Sequence, residues 1–134
     1  MNKAYALFLY LSLTLVFFIS GCNKEDKKLI ETEWVVNSYS AQNTTNIVNA
    51  PASYTMTFKN KNFHLALDVN TCGGDYSLGS GNKIKFSALY CTEACCDSDF
   101  AMKITQLIPL MKEYTINGDQ LLLSGQGKIR LIAK

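Results

Sequence analysis

The chain has 134 residues, 48% of them hydrophobic and 18% charged, with a formal net charge of +2. That length and apolar content suit one globular domain large enough for its own core. Basic and acidic residues nearly balance and form no basic stripe, so nucleic acid is excluded as an expected partner.

Residues 4–19 are almost wholly apolar, broken only by Tyr5, Tyr10, Ser12 and Thr14, and Lys3 places a positive charge before them. The run falls short of the roughly 20 apolar residues that a spanning helix needs. It has the form of a secretory leader, which stands outside the fold; an uncleaved signal anchor is the plainer alternative. The leader ends in Ile19-Ser20-Gly21-Cys22, which resembles the lipobox of bacterial lipoproteins. The resemblance implies cleavage between Gly21 and Cys22 and acylation of Cys22, on its thiol and freed amine, with chains such as palmitate. Each buried methylene contributes about 0.8 kcal/mol and a single chain holds only marginally, so several chains make a lasting anchor. Cleavage would remove 21 of the 134 residues and leave 113, with 12 basic and 11 acidic side chains.

Asn23-Lys24-Glu25-Asp26-Lys27-Lys28 is highly polar without apolar periodicity, so residues 22–28 read as the lipidated cysteine and a tether. Lys24-Glu25-Asp26 is similar to the short signal that exports Bacteroidota lipoproteins to the cell surface. A solvated spacer of mixed charge explains the same residues. No Asp directly follows Cys22, where Asn23 stands, so the inner-membrane retention signal of some proteobacteria is not matched, and an outer-membrane location is expected.

Residues 29–134 form the domain. Trp34, Val36 and Ser38 alternate in a first strand, with Trp34 as a core anchor. Residues 41–52 are rich in Asn and Thr and meet Pro51, so they read as a loop; Asn43-Thr44-Thr45 within it has the form of a glycosylation sequon. Tyr54-Thr55-Met56-Thr57-Phe58 and residues 63–69 each have period two, the mark of half-buried strands, and residues 59–62 join them as a hairpin. Tyr76 and Leu78 lead through Gly79-Ser80-Gly81-Asn82 to a second hairpin with Ile84, Phe86 and Ala88. Phe100, Ile104, Leu107 and Met111 then recur at helical spacing, with Asp97, Ser98 and Asp99 as N-cap candidates. Pro109 ends or kinks that helix near residue 108. Asn117-Gly118 marks a tight hairpin turn between Tyr114-Thr115-Ile116 and Gln120-Leu121-Leu122-Leu123. After Ser124-Gly125-Gln126-Gly127 a last strand closes the chain. The pattern predicts an α+β domain, mostly antiparallel: about eight short strands in a curled sheet or partly open barrel, with one late helix. Its apolar faces read most simply as core; a cavity for a small apolar ligand is the sharper alternative.

The ordered set of Trp34, Asn70-Thr71-Cys72-Gly73-Gly74-Asp75-Tyr76, Thr92-Glu93-Ala94-Cys95, the helix and the Tyr114 to Leu123 hairpin resembles the META domain, also called HslJ-like. The resemblance covers residues 29–134. Three features depart from the family pattern: Asn70 precedes Cys72, where the family has Asn after its cysteine; the Thr-to-Cys spacing fits Cys96 better than Cys95; and the acidic residue usual at the start of the family's helix has no clean counterpart. The resemblance implies a small, mostly β, envelope-associated domain without enzymatic activity, linked to stress tolerance, secretion or virulence.

With Cys22 given to lipid, Cys72, Cys91, Cys95 and Cys96 remain, an even set that an oxidising compartment would pair in one of three ways. The resemblance favours Cys72–Cys96 with Cys91–Cys95, because Cys96 fits the family spacing. The vicinal pairing of Cys95 with Cys96, which leaves Cys72 with Cys91, is disfavoured. A four-thiolate zinc site lacks the usual Cys-x-x-Cys knuckles, and a thioredoxin-like site would want Cys-x-x-Cys at a helix start.

His64, the only histidine, is expected to face solvent, and no Ser/His/Asp set has a spacing that supports it. Asp97 and Asp99 read as helix caps, while Gly73-Gly74 and Gly79-Ser80-Gly81 read as turn glycines and not as a phosphate loop. No cofactor and no metal is expected. The expected function is non-catalytic: a lipid-anchored envelope or surface module that binds the membrane through its lipid and an envelope or extracellular protein through its domain. The alternatives are a thiol redox protein using Cys91, Cys95 and Cys96, or an apolar-ligand carrier.

Overall fold

The computed structural model describes residues 24–59 and 61–134. The first element among the described residues is a helix, α1 (Lys24–Glu31). Nine strands follow: β1 (Trp34–Ala41), β2 (Val48–Lys59), β3 (Asn62–Ala66), β4 (Thr71–Gly79), β5 (Lys83–Phe86), β6 (Tyr90–Cys91), β7 (Met111–Asn117), β8 (Gln120–Gly125) and β9 (Gly127–Ala133). Helix α2 (Asp99–Leu107) and a 3-10 turn (Ile108–Leu110) lie between β6 and β7.

The expected antiparallel α+β architecture is present, and the sheet closes. Strand order β3-β2-β1-β9-β8-β7-β5-β4 is joined by pairing of β3 with β4, giving an eight-stranded barrel; β6 pairs with Cys72 and Gly73 of β4, on the edge opposite β3 and beyond the stretch that β5 pairs. Closure removes the unpaired edges that an open sheet would leave. Alternation decides which side faces in: Trp34, Val36 and Ser38 are buried on β1, Tyr54, Met56 and Phe58 on β2, and Ile129 and Leu131 on β9. Aromatic rings fill the interior. Phe58 meets Tyr76 edge-on at 5.1 Å between centroids, and Phe63 meets Phe86 at 5.2 Å, geometry that suits the ring quadrupole.

Each helix covers one end of the barrel. Helix α2 follows the sequence pattern, burying Phe100, Ala101, Ile104 and Leu107. Ser98 is its N-cap, accepting from the Ala101 N–H at 3.3 Å, and Pro109 sits in the 3-10 turn that ends it. Met111, expected on the helix face, instead begins β7 and is buried there. Phe100 stacks on Tyr54 with centroids 5.3 Å apart.

Helix α1 corrects the tether reading of residues 24–28. It has no apolar stripe, and only Leu29 is buried. Polar contacts dock it instead. The Tyr114 hydroxyl donates to Asp26, Lys28 donates to the Gly118 carbonyl, and Asn82 Nδ2 donates to Glu25 Oε2 at 2.5 Å. The indole N–H of Trp34 donates to the Leu29 carbonyl at 3.1 Å. Acidic Glu25 and Asp26 in its first turn also complement the helix dipole.

Three further boundaries differ. Strand β2 begins at Val48, inside the expected loop; Pro51 is accommodated because β2 pairs with β1 at Val48, Asn49 and again from Tyr54, but not between. Gly73 and Gly74 are not turn residues but lie buried within β4. A Cβ on Gly74 would come within 3.0 Å of the Phe63 ring and Ser87 Oγ, so close strand packing explains both glycines. At the β7–β8 turn Gly118, with φ +59°, occupies the left-handed position, and Asn117 is the last residue of the strand.

Candidate functional site

The described chemistry converges at the α2 end of the barrel, where residues 92–98 cross from β6 to α2 carrying Cys95 and Cys96. Asn70, in the β3–β4 turn, is buried and holds this loop. Its Nδ2 donates to the Ala94 carbonyl and to Asp97 Oδ2, both at 2.7 Å. Its Oδ1 accepts from the Ala94 N–H and from Thr92 Oγ1, both at 2.8 Å. Asp97 Oδ1 in turn accepts from the backbone N–H of Val69 at 3.0 Å and of Asn70 at 3.3 Å. An amide suits this position because it donates and accepts at once.

Asp68 extends the network. Its Oδ2 accepts from the Ser98 N–H at 2.9 Å and Ser98 Oγ at 2.7 Å, and its Oδ1 accepts from the Tyr54 hydroxyl at 2.9 Å. The hydrogen bonds from Ser98 hold the Asp68 carboxyl below the ordinary aspartate range. Desolvation pushes Asp97 up, but the bonds from Val69 and Asn70 outweigh it and leave its carboxyl lowered. Burial raises the Tyr54 phenol, and Asp68 adds to the rise. Both carboxylates are therefore ionised hydrogen-bond acceptors that fasten a loop. Neither is tuned toward neutrality as a general acid or base would be.

Cys72 and Cys91 face each other in register between β4 and β6 and are disulfide-bonded. Cys95 bonds Cys96. This corrects the favoured pairing of Cys72–Cys96 with Cys91–Cys95 and restores the one that was disfavoured. The physical reason is β6: two residues of pairing bring Cys91 beside Cys72, while the Asn70–Asp97 clamp leaves Cys95 and Cys96 at the surface, both exposed. They line a surface cleft of about 510 Å³ with Asn70, Glu93, Asp97 and Met102.

Elsewhere, His64 is exposed on β3, as its parity predicts. Asp99 opens α2 and is exposed, whereas Asp97 turns away from the helix to the β3–β4 turn. No cluster of three or more His, Cys, Asp or Glu side chains is placed to hold a metal ion among the described residues. No helix among them is long and apolar enough to cross a membrane. Gly21 and Cys22, the expected cleavage and lipidation site, lie outside the described residues. Sequence reasoning missed Asn70, Asp68 and Tyr54. Asn70 was visible only as a departure from the family pattern, and nothing in the spacing linked it to Asp97.

Two solved structures share the fold. An NMR structure of a protein from Burkholderia xenovorans is 16% identical, covers 81% of this chain and 85% of its own, and superposes with a TM-score of 0.63. A crystal structure of a DUF4847 family protein from Bacteroides vulgatus is 12% identical, covers 81% of this chain and 96% of its own, and has a TM-score of 0.61. No curated protein matches the chain. The family model for the META domain matches residues 27–134, from within α1 through the last strand, so the chain belongs to the META domain family.

Proposed function

We propose that the protein is a lipid-anchored, non-catalytic module of the bacterial envelope, held at the outer membrane by Cys22. The observation that carries this reading is the sequence Ile19-Ser20-Gly21-Cys22 placed directly before a docked helix. Lys24 begins α1 two residues after Cys22, a reach of roughly 7 Å in extended chain. With α1 fastened through Asp26, Lys28 and Leu29, lipid on Cys22 would hold the α1 end of the barrel close to the bilayer. The α2 end, with the Asn70-clamped loop, would then point away and be free to meet a partner in the envelope, in keeping with a role in envelope stress tolerance. The involvement of Asp68, Asp97, Ser98 and Tyr54 in loop-holding hydrogen bonds favours binding over catalysis. Side chains such as Trp34, Phe58, Phe63 and Tyr114 occupy the barrel interior, which disfavours an apolar-ligand carrier.

Protease shaving of intact cells, followed by pull-down of the lipidated protein, tests exposure and partner together. Surface display predicts loss of the barrel on shaving and recovery of an envelope protein with the intact chain. Full protection in intact cells, with digestion only after the outer membrane is opened, would place the domain on the periplasmic face. Recovery of the chain in the soluble fraction would overturn the anchored reading.

The exposure of Cys95 and Cys96 favours a second reading, a thiol redox protein. A dithiol reductant would be oxidised to its disulfide while Cys95–Cys96 takes up two electrons and two protons. Thiol labelling with mass spectrometry on protein taken directly from cells separates the two. Four oxidised cysteines under reducing stress exclude the redox reading.

A further inference from the structure

The outer wall of the barrel carries a second feature, centred on Arg130. Along β9 the odd-numbered Gly127, Ile129 and Leu131 are buried in the interior, so Lys128 and Arg130 point outward. Arg130 is nevertheless half-buried, and the loop residues Gln42, Asn43, Thr44 and Ile47 line a cleft with it. Its Nη1 is enclosed and has no hydrogen-bond acceptor among the described residues. A buried guanidinium donor left unpaired is costly, and native proteins seldom keep one without a use.

Arg130 lines this cleft of about 610 Å³ together with Lys128, Gln42, Asn43, Thr44 and Ile47. No Asp or Glu lines it. The loop that lines the cleft has local order: Asn43 takes a left-handed φ of +59° and Thr44 Oγ1 accepts from the Asn46 N–H at 2.8 Å. Gly127, with φ +139°, forms part of the wall, where a Cβ would come within 2.8 Å of the Ser40 carbonyl. On its other side Arg130 borders a second groove that includes Asn37, the residue at the bulge in β1 between Val36 and Ser38. Bulges of this kind often re-aim side chains beside binding sites.

We propose that this cleft binds the carboxylate of a small ligand rich in hydroxyl or amide groups, with Arg130 as the charge partner. A carboxylate matches one guanidinium fork in charge and shape. Gln42, Asn43 and Thr44 supply neutral donors and acceptors for the rest of the ligand, Ile47 offers an apolar face, and Lys128 at the exposed rim attracts the anion without desolvation. Both a sugar acid and a peptide carboxyl terminus have this chemistry. The proposal deepens the binding-module reading but does not depend on the lipid.

Calorimetric titration of the full chain in a polyoxyethylene detergent tests it. Glucuronate and acetyl-alanyl-alanine are compared with glucose and the dipeptide amide, and with inorganic phosphate. At least one carboxylate should bind saturably and about tenfold more tightly than its neutral counterpart; which one distinguishes sugar from peptide. R130Q should weaken that binding at least tenfold, R130K less, and K128Q about threefold or less. Equal binding of charged and neutral partners, binding of phosphate alone, no saturation by either carboxylate at about 10 mM, or unchanged affinity in R130Q would each overturn the proposal. The wild-type comparison decides even if R130Q fails to fold. Cys22→Ser should abolish membrane attachment and leave ligand affinity unchanged, so loss of the anchor and failure of the site are told apart.

Discussion

Asn70 Nδ2 donates to Asp97 Oδ2 at 2.7 Å across 27 residues of chain, joining the β3–β4 turn to the loop that carries Cys95 and Cys96. The same amide closes on both backbone groups of Ala94. One side chain thus fixes the path of the loop from β6 to α2.

Asn70→Ala should therefore cost about 2 kcal/mol or more, since it strands buried partners as well as losing bonds. Asn70→Asp keeps the shape but sets a carboxylate against Asp97 and loses the donor to Ala94, so it should be at least as damaging at neutral pH. Urea unfolding of the two variants measures this. A change below about 0.5 kcal/mol in both, the level of an ordinary surface substitution, would show that the clamp is not stabilising.

The two disulfides should differ in weight. Cys72–Cys91 closes a loop with a sequence separation of 19, worth about 3 kcal/mol in the chain-entropy model. Cys95–Cys96 joins neighbours and constrains the unfolded chain little. Replacing Cys72 and Cys91 by Ser should lower stability markedly, and replacing Cys95 and Cys96 should change it only slightly. Equal losses would contradict this assignment. Peptide mapping by mass spectrometry checks the connectivity itself.

The carboxylate network gives a signed pH dependence. Asp68 and Asp97 have folded-state values below the ordinary 3.8. Their contribution is complete above the ordinary value and is lost as pH falls below it toward the lowered one. Thermal midpoints should fall below about pH 4, and less steeply in a variant carrying both Asp68→Asn and Asp97→Asn. A double variant with an unchanged acid limb would show that these groups are not linked to folding.

Docking of α1 rests on one buried side chain and a few polar contacts. Leu29→Ala should cost about 2–4 kcal/mol and Tyr114→Phe about 1 kcal/mol. Hydrogen exchange should quicken across Lys24–Glu31 in both, with the barrel strands less affected. Uniform quickening would mean that helix and barrel unfold as one unit.

Most of the barrel was legible because its strands alternate. Trp34/Val36/Ser38 and Tyr54/Met56/Phe58 carry the period-two signal that a one-faced burial imposes. Helix α2 was legible for the same reason at helical spacing. Helix α1 was not, because a polar helix held by Asp26, Lys28 and one leucine has no periodicity to find. Strand β6 escaped because two residues make no pattern, and with it went the Cys72–Cys91 pairing. Gly73 and Gly74 looked like a turn because their use, close approach of β4 to Phe63 and Ser87, exists only once the barrel closes. The site was still less visible: Asn70 with Asp97, and Arg130 with the loop residues Gln42 to Thr45, are brought together by the fold over separations that local spacing does not encode.

Anchoring through Cys22 is the claim on which the functional account turns, and the mass of the N-terminal peptide from membrane-extracted protein tests it most directly. The account predicts a peptide that begins at Cys22 and carries fatty acyl chains on that residue, with the Cys22→Ala protein unprocessed and free of acyl mass. A native protein that retains residues 1–21, or one that begins at Cys22 without acyl mass, would contradict it.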